Sequence, residues 1–164
     1  MPSNSDSSSL HPLLIDACYW HPRIEAMRSV PRGLLIFPRP DLGHPGLEVL
    51  ELHWRGHDGV PLQALLARPV FRAEDSPIRL RLAGYCESES LDCEHIAAGG
   101  SELVFAPPPN RRLEDRVLDV LRLICCVSTL DGVEPHDVQL APPEEVNPAD
   151  ELLIAERLRE ENFC

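Results

Sequence analysis

The sequence predicts an α/β fold: a mixed sheet of about five strands, opened by an N-terminal hairpin and continued by parallel strands, with helices on both faces. Three observations carry that prediction. Residues 48–54 and 60–68 have strand patterning on either side of an Asp58-Gly59 turn, strand-like and helix-like segments alternate from Pro77 onward, and residues 113–130 repeat apolar side chains at helical spacing. Alternation of strand and helix implies crossover connections, and hence parallel strands covered on both faces.

The elements follow in order. Residues 1–9, MPSNSDSSS at the start, are Ser-rich and predict disorder, because nothing in them can form a core. Residues 10–47 are Pro-rich and irregular, with a short helix expected over Leu13 to Trp20 and a short strand over Gly33 to Phe37. Residues 1–47 therefore read as a partly disordered arm laid over a body formed by 48–164.

In the body, Glu48 to Trp54 alternates Val49, Glu51 and His53 against Leu50, Leu52 and Trp54, the period-2 signal of a strand. The turn ending in Asp58-Gly59 returns the chain along Val60 to Arg68. Pro77 to Gly84 sets Ile78, Leu80 and Leu82 inward and Arg79 and Arg81 outward, a strand with one wet face. Glu87 to Ala98 predicts a helix ended by Gly99-Gly100. Glu102 to Ala106 predicts a strand stopped by Pro107-Pro108-Pro109, since proline donates no ladder hydrogen bond. Leu113 to Leu130 is the strongest amphipathic helix, Val138 to Ala141 the last strand, and Ala149 to Glu161 a closing acidic helix with Leu152, Leu153, Ala155 and Leu158 apolar.

A chain of 164 residues fits one core. The formal net charge is −12, and all the basic residues are arginine. This balance excludes nucleic acid as a partner, because phosphate binding needs a basic face. Arg111, Arg112 and Arg116 are interleaved with Glu114, Asp115 and Asp119 and read as a solvated helix face. The absence of lysine removes Schiff-base chemistry. The longest apolar stretch, Val117 to Val127, is interrupted by Asp119 and Arg122, so no membrane span is expected. The polar N-terminus lacks a signal pattern, and the default location is cytoplasmic, with reduced cysteines. Cys125 and Cys126, neighbours in a helix, point about 100° apart.

The succession HWRGHDGVPLQALLARP, IRLRLAGYCE, ELVFAPPPNRR and STLDGVEPHDVQLA resembles the N-terminal half of the acetylxylan esterase and cephalosporin deacetylase group of α/β-hydrolases. That family follows its hairpin with a strand ending in H-G-Y-G, another ending in D-x-R-G, and a helix leading through G-V-D-P-D-R-I to a G-G-S-Q-G-G elbow. The resemblance covers Glu48 to Ala141, with Asp131 to Val138 its best match. It implies a partial α/β-hydrolase-like sheet, truncated before the family's later strands.

The departures fall on the chemistry. Gly84-Tyr85 matches the oxyanion loop, but Ala83 stands at the family's histidine and Cys86 at its glycine. Pro142-Pro143-Glu144 occupies the place of G-G-S, so Glu144 takes the nucleophile's position. An ester hydrolase needs an activated nucleophile and backbone N–H groups aimed at the oxyanion, and Pro143 supplies no N–H.

Two alternative sites remain open in the sequence. Cys86 is a candidate nucleophile, with His53, His57 or His95 as base, although Glu87 and Glu89 oppose a thiolate. Cys86, Cys93 and His95 are a candidate metal set, with Cys18 or His21 as a fourth ligand, at a spacing unlike standard zinc motifs. The expected function is that of a non-catalytic, hydrolase-derived module without cofactor. Its open sheet edge would be covered by a second copy, a partner protein or the Pro-rich arm. The rival readings are an esterase with an unconventional nucleophile, or with a site completed by a partner chain, and a Cys/His metal or redox module.

Overall fold

A computed structural model of the chain describes residues 17–43, 45–71, 76–83, 91–131, 133–134, 137–141, 155 and 157–159. Among the described residues, the main elements run in the order α1 (Ala17–Ser29), β1 (Leu35–Pro38), β2 (Leu47–Arg55), β3 (Pro61–Pro69), β4 (Ile78–Leu82), α2 (Cys93–Ala97), β5 (Ser101–Phe105), α3 (Leu113–Val127) and β6 (Val138–Leu140). They build one mixed sheet of order β1-β2-β3-β5-β4-β6. The first three strands and β5 pair antiparallel, while β4 runs parallel to both β5 and β6. The predicted α/β class and mixed sheet are present, with six strands in place of about five.

The hairpin forms where the Asp-Gly signal placed it. Leu47 pairs with Pro69 and Arg55 with Pro61. Gly56 N–H donates to Val60 O at 2.8 Å, and Gly59 takes φ +82°, a conformation that costs a side-chain-bearing residue strain. Alternation along β2 then sends Leu50, Leu52 and Trp54 to one face and Val49 to the other. The first face carries the larger core, with Leu66, Leu80, Leu103 and Phe105 under α1 and α3. On the second face Val49, Leu65 and Ala67 meet Ile96 of α2. Helices thus cover both faces, as βαβ connections require.

The arm contributes to the sheet and to the core. The expected short strand is β1, paired to β2 with Leu35 opposite His53. The helix expected over Leu13 to Trp20 is described as α1, which continues through Pro22 to Ser29; residues 13–16 lie outside the described residues. Pro22 removes one helical N–H, which makes the segment look broken in sequence. Burial overrides that loss, because Trp20, Ile24 and Met27 fall at helical spacing and are fully or almost fully buried. Tyr19 Oη donates to Glu114 at 2.7 Å, tying α1 to the start of α3.

Two further segments differ from expectation. Helix α2 begins at Cys93, with Asp92 as its N-cap accepting from His95 N–H at 3.0 Å; of the helix expected over Glu87 to Ala98, Leu91 and Asp92 are non-helical and residues 87–90 lie outside the described residues. Helix α3 is buried all round from Val117 to Val127, Asp119 and Arg122 included, and is amphipathic only in its first turn. Of the closing helix, Ala155 and residues 157–159 are described as helical, and Ala155 and Leu158 join the larger core.

Candidate functional site

In open α/β sheets, ligands bind beyond the carboxyl ends of the parallel strands, so the sheet's geometry fixes where a site belongs. The ends of β4, β5 and β6 lie side by side. Ala83 N–H donates to Phe105 O at 2.9 Å, and Ala141 N–H donates to Leu80 O at 2.8 Å. The chain therefore leaves the described residues after Ala83 and Ala141 from neighbouring strands. Tyr85, Cys86 and Glu144, the residues assigned to the oxyanion loop, the alternative nucleophile and the lost elbow, follow those strands and lie outside the described residues.

The candidate bases divide between the two ends of the sheet. His95, on α2 beside the start of β5, places Nε2 3.3 Å from Ser101 O, and its ring lies so close to Gly100 that a Cβ there would sit 2.3 Å from Nε2. His53 is held on β2, with Nε2 2.5 Å from Glu51 Oε1 and its ring edge-on to Phe37.

His57, in the hairpin turn, is the one candidate at the carboxyl end that resembles an oriented base. Its Nε2 lies 3.1 Å from Asp115 Oδ1 at the start of α3, and its Nδ1 is buried without a hydrogen-bond partner. A carboxylate on one ring nitrogen and a free second nitrogen is the arrangement of a general base. Here the second nitrogen is buried, which sets it away from bulk water.

Beside His57 lies a charged cluster that the sequence reading assigned to a solvated helix face. Arg111 is nearly buried and grips Asp119 with two bonds of 2.8 Å while also reaching Asp58 at 2.7 Å. Arg112 and His57 share Asp115. Gly56 leaves room for both carboxylates: a Cβ there would stand 3.0 Å from Asp119 Oδ1 and from Asp58 Oδ1. The cluster fastens the hairpin turn to α3, and the reading missed it because the contact joins residues far apart in sequence.

Burial pushes the Asp119 carboxyl up to about 6 from its ordinary 3.8, against the pull of Arg111. The folded state therefore holds this proton more tightly than the unfolded state. Its stabilisation is fully present below about pH 3.8 and is lost as the pH rises through 6. Wild type should accordingly lose about 2 kcal/mol relative to Asp119→Asn between pH 4 and pH 7, measured by chemical denaturation. A difference independent of pH would contradict the assignment.

The supposed wet face of β4 is also occupied. Glu102, fully buried on β5, accepts from Arg79 Nη2 and Arg81 Nε at 3.0 Å through one oxygen and from Asp92 N–H at 2.6 Å through the other. Arg79 also reaches Asp92 at 2.8 Å. Alternation correctly turned the two arginines away from Leu80 but could not show that β5 presents a carboxylate to them.

Of the candidate metal set, Cys86 lies outside the described residues, and the described members do not converge. Cys93 is exposed at the start of α2, and His95 points to Ser101. Cys18 and His21 lie on α1, across the sheet from α2. Among the described residues no group of three or more His, Cys, Asp or Glu could hold a metal ion. Cys126 is packed in the core, and burial raises its thiol to about 11, which leaves it unreactive at neutral pH. No helix among the described residues is long and apolar enough to cross a membrane.

No family model matches this chain, and no curated protein matches it. Solved structures do. An acetyl xylan esterase from a Paenibacillus species overlays 84% of this chain and 54% of its own length, with a TM-score of 0.67 and 13% identity. Acetyl xylan esterase 1 from a Thermoanaerobacterium species overlays 84% of this chain and 52% of its own, with a TM-score of 0.66 and 15% identity. The chain spans about half the length of these esterases and shares that half's fold, a partial α/β-hydrolase-like sheet.

Proposed function

We propose that this chain is a non-catalytic protein of hydrolase-like fold that works by association, as a binding or assembly module. The observation that carries the reading is the edge where the chain leaves β6. Ala141 is bonded to β4 one strand from the oxyanion-loop position, and the residues that follow are Pro142-Pro143-Glu144 in place of a glycine-flanked serine. The buried second nitrogen of His57 supports it, since the histidine that Asp115 orients there keeps its other nitrogen away from bulk water.

Esterase turnover tests the reading. Purified protein should hydrolyse p-nitrophenyl acetate no faster than buffer, and Cys86→Ala should change nothing. Turnover above background that Cys86→Ala abolishes would overturn it. A second reading is favoured by the half-length overlay on two acetyl xylan esterases: a carboxylic ester hydrolase whose site is completed by a partner chain. In that case activity would appear only when the partner is added.

A further inference from the structure

We propose that the chain forms a two-fold symmetric homodimer through β1, the two copies pairing edge to edge so that their sheets become continuous. This inference rests on the association reading above and names its surface. Strand β1 is an outermost strand of the sheet. Its Leu35, Ile36 and Phe37 are 58%, 41% and 45% exposed, three consecutive large apolar residues on an edge. Natural edges are usually blunted by charge, by a bulge or by a covering segment. The opposite edge has such a cover: Arg159 donates to the Val138 carbonyl of β6, and Ala155 and Leu158 pack into the core beside it. No residue from Gly33 to Pro38 is charged, so a chain with a net charge of −12 can meet its copy here without like charges at the seam.

The hydrogen-bonding parity of β1 makes the edge self-complementary. Arg39 N–H donates to Val49 O, and the register continues with Phe37 opposite Glu51 and Leu35 opposite His53. In an antiparallel ladder, residues two apart turn both backbone groups to the same neighbour. Leu35, Phe37 and Arg39 therefore face β2, and Leu34, Ile36 and Pro38 face outward. A two-fold axis at Ile36 lets the two Ile36 residues exchange both hydrogen bonds, and each Leu34 N–H reaches the other copy's Pro38 carbonyl. Pro38 has no N–H to return, which ends the ladder there. Leu35 of each copy then lies beside Phe37 of the other, a favourable cross-strand pair. So short a seam buries less than the standard interface of about 1,600 Å², the size class of weak and transient association.

Sedimentation velocity from about 1 to 300 μM should show a monomer–dimer equilibrium for wild type. Ile36→Pro, which removes an outward N–H that the monomer does not use, and Phe37→Glu, which sets like charges at the seam, should each weaken the dimer at least about 30-fold with unchanged far-UV circular dichroism. As a check independent of those variants, Ile36→Cys should crosslink to its own copy on mild oxidation. The facing Cα atoms of such a pair stand about 5.5 Å apart, within disulfide reach. Gln63→Cys, exposed on β3, should not crosslink. A wild type monomeric at 300 μM would refute both this dimer and self-association. A dimer that survives Ile36→Pro and Phe37→Glu, and that does not crosslink at position 36, would refute the β1 seam alone.

Discussion

Replacing Arg122 with methionine should cost about 3–5 kcal/mol, the largest loss expected from any single polar side chain here. Arg122 lies in the middle of α3 and is almost fully buried, yet it pairs with no carboxylate. Its guanidinium donates to four backbone carbonyls: Arg55 O and Met27 O at 2.5 Å, Val30 O at 2.7 Å and Pro31 O at 2.8 Å. These come from the end of β2, the last turns of α1 and the link to β1, so one side chain holds three segments against one helix. Burial depresses its pKa, although it stays charged. Methionine would fill the volume and leave the carbonyls without donors in a dry site. Thermal unfolding should fall by about 10 °C or more, and limited proteolysis should speed up first between residues 17 and 38. Arg122→Lys should recover only part of the loss, since an ammonium has three donors and no planar fork. Loss of less than about 1 kcal/mol in Arg122→Met would mean that the clamp is dispensable.

Removing Glu102 should have a comparable effect for the opposite electrostatic reason. Glu102→Ala leaves Arg79 and Arg81, each at least two-thirds buried, without their shared carboxylate, and leaves Asp92 N–H without its acceptor. Breaking such a pair costs about 3–5 kcal/mol. The partial exposure of both arginines favours the lower end of that range, because water can reach them. Replacing Arg79, Arg81 and Glu102 together with leucine should recover most of the loss, since an apolar trio leaves no uncompensated charge behind. Urea denaturation of the single and triple variants compares the two cases; a triple variant no more stable than Glu102→Ala would show that the cluster stabilises beyond its own charge balance.

How much was legible depended on the separation of the partners. The β2–β3 hairpin, β5 and α3 were readable because turn chemistry and periodicity are local: Asp58-Gly59 fixes the turn, and apolar spacing fixes each face. The parallel strands were readable from alternation alone. Pro22 hid α1, because proline's local signal is to break a helix and only the burial of Trp20 and Met27 reveals why it continues. The burial of Arg79, Arg111 and Asp119 was not readable, since each is charged and each is satisfied by a residue that the sequence does not place nearby. Of the candidate site, the sequence offered an expected place, after β4 and β6, where Pro142-Pro143-Glu144 stands at the position the resemblance gives to an elbow. It could not show that Asp115 orients His57 while His57's other nitrogen is buried.

The sequence by itself determined the α/β class and the hydrolase-like order of elements, because these are carried by residue type and short-range spacing. Only the tertiary structure decided which charges are buried, how the arm joins the sheet and which edge lies bare. Those depend on which distant segments meet, since a buried charge is tolerable only beside the partner that compensates it, and a strand is an edge only when nothing else pairs with it.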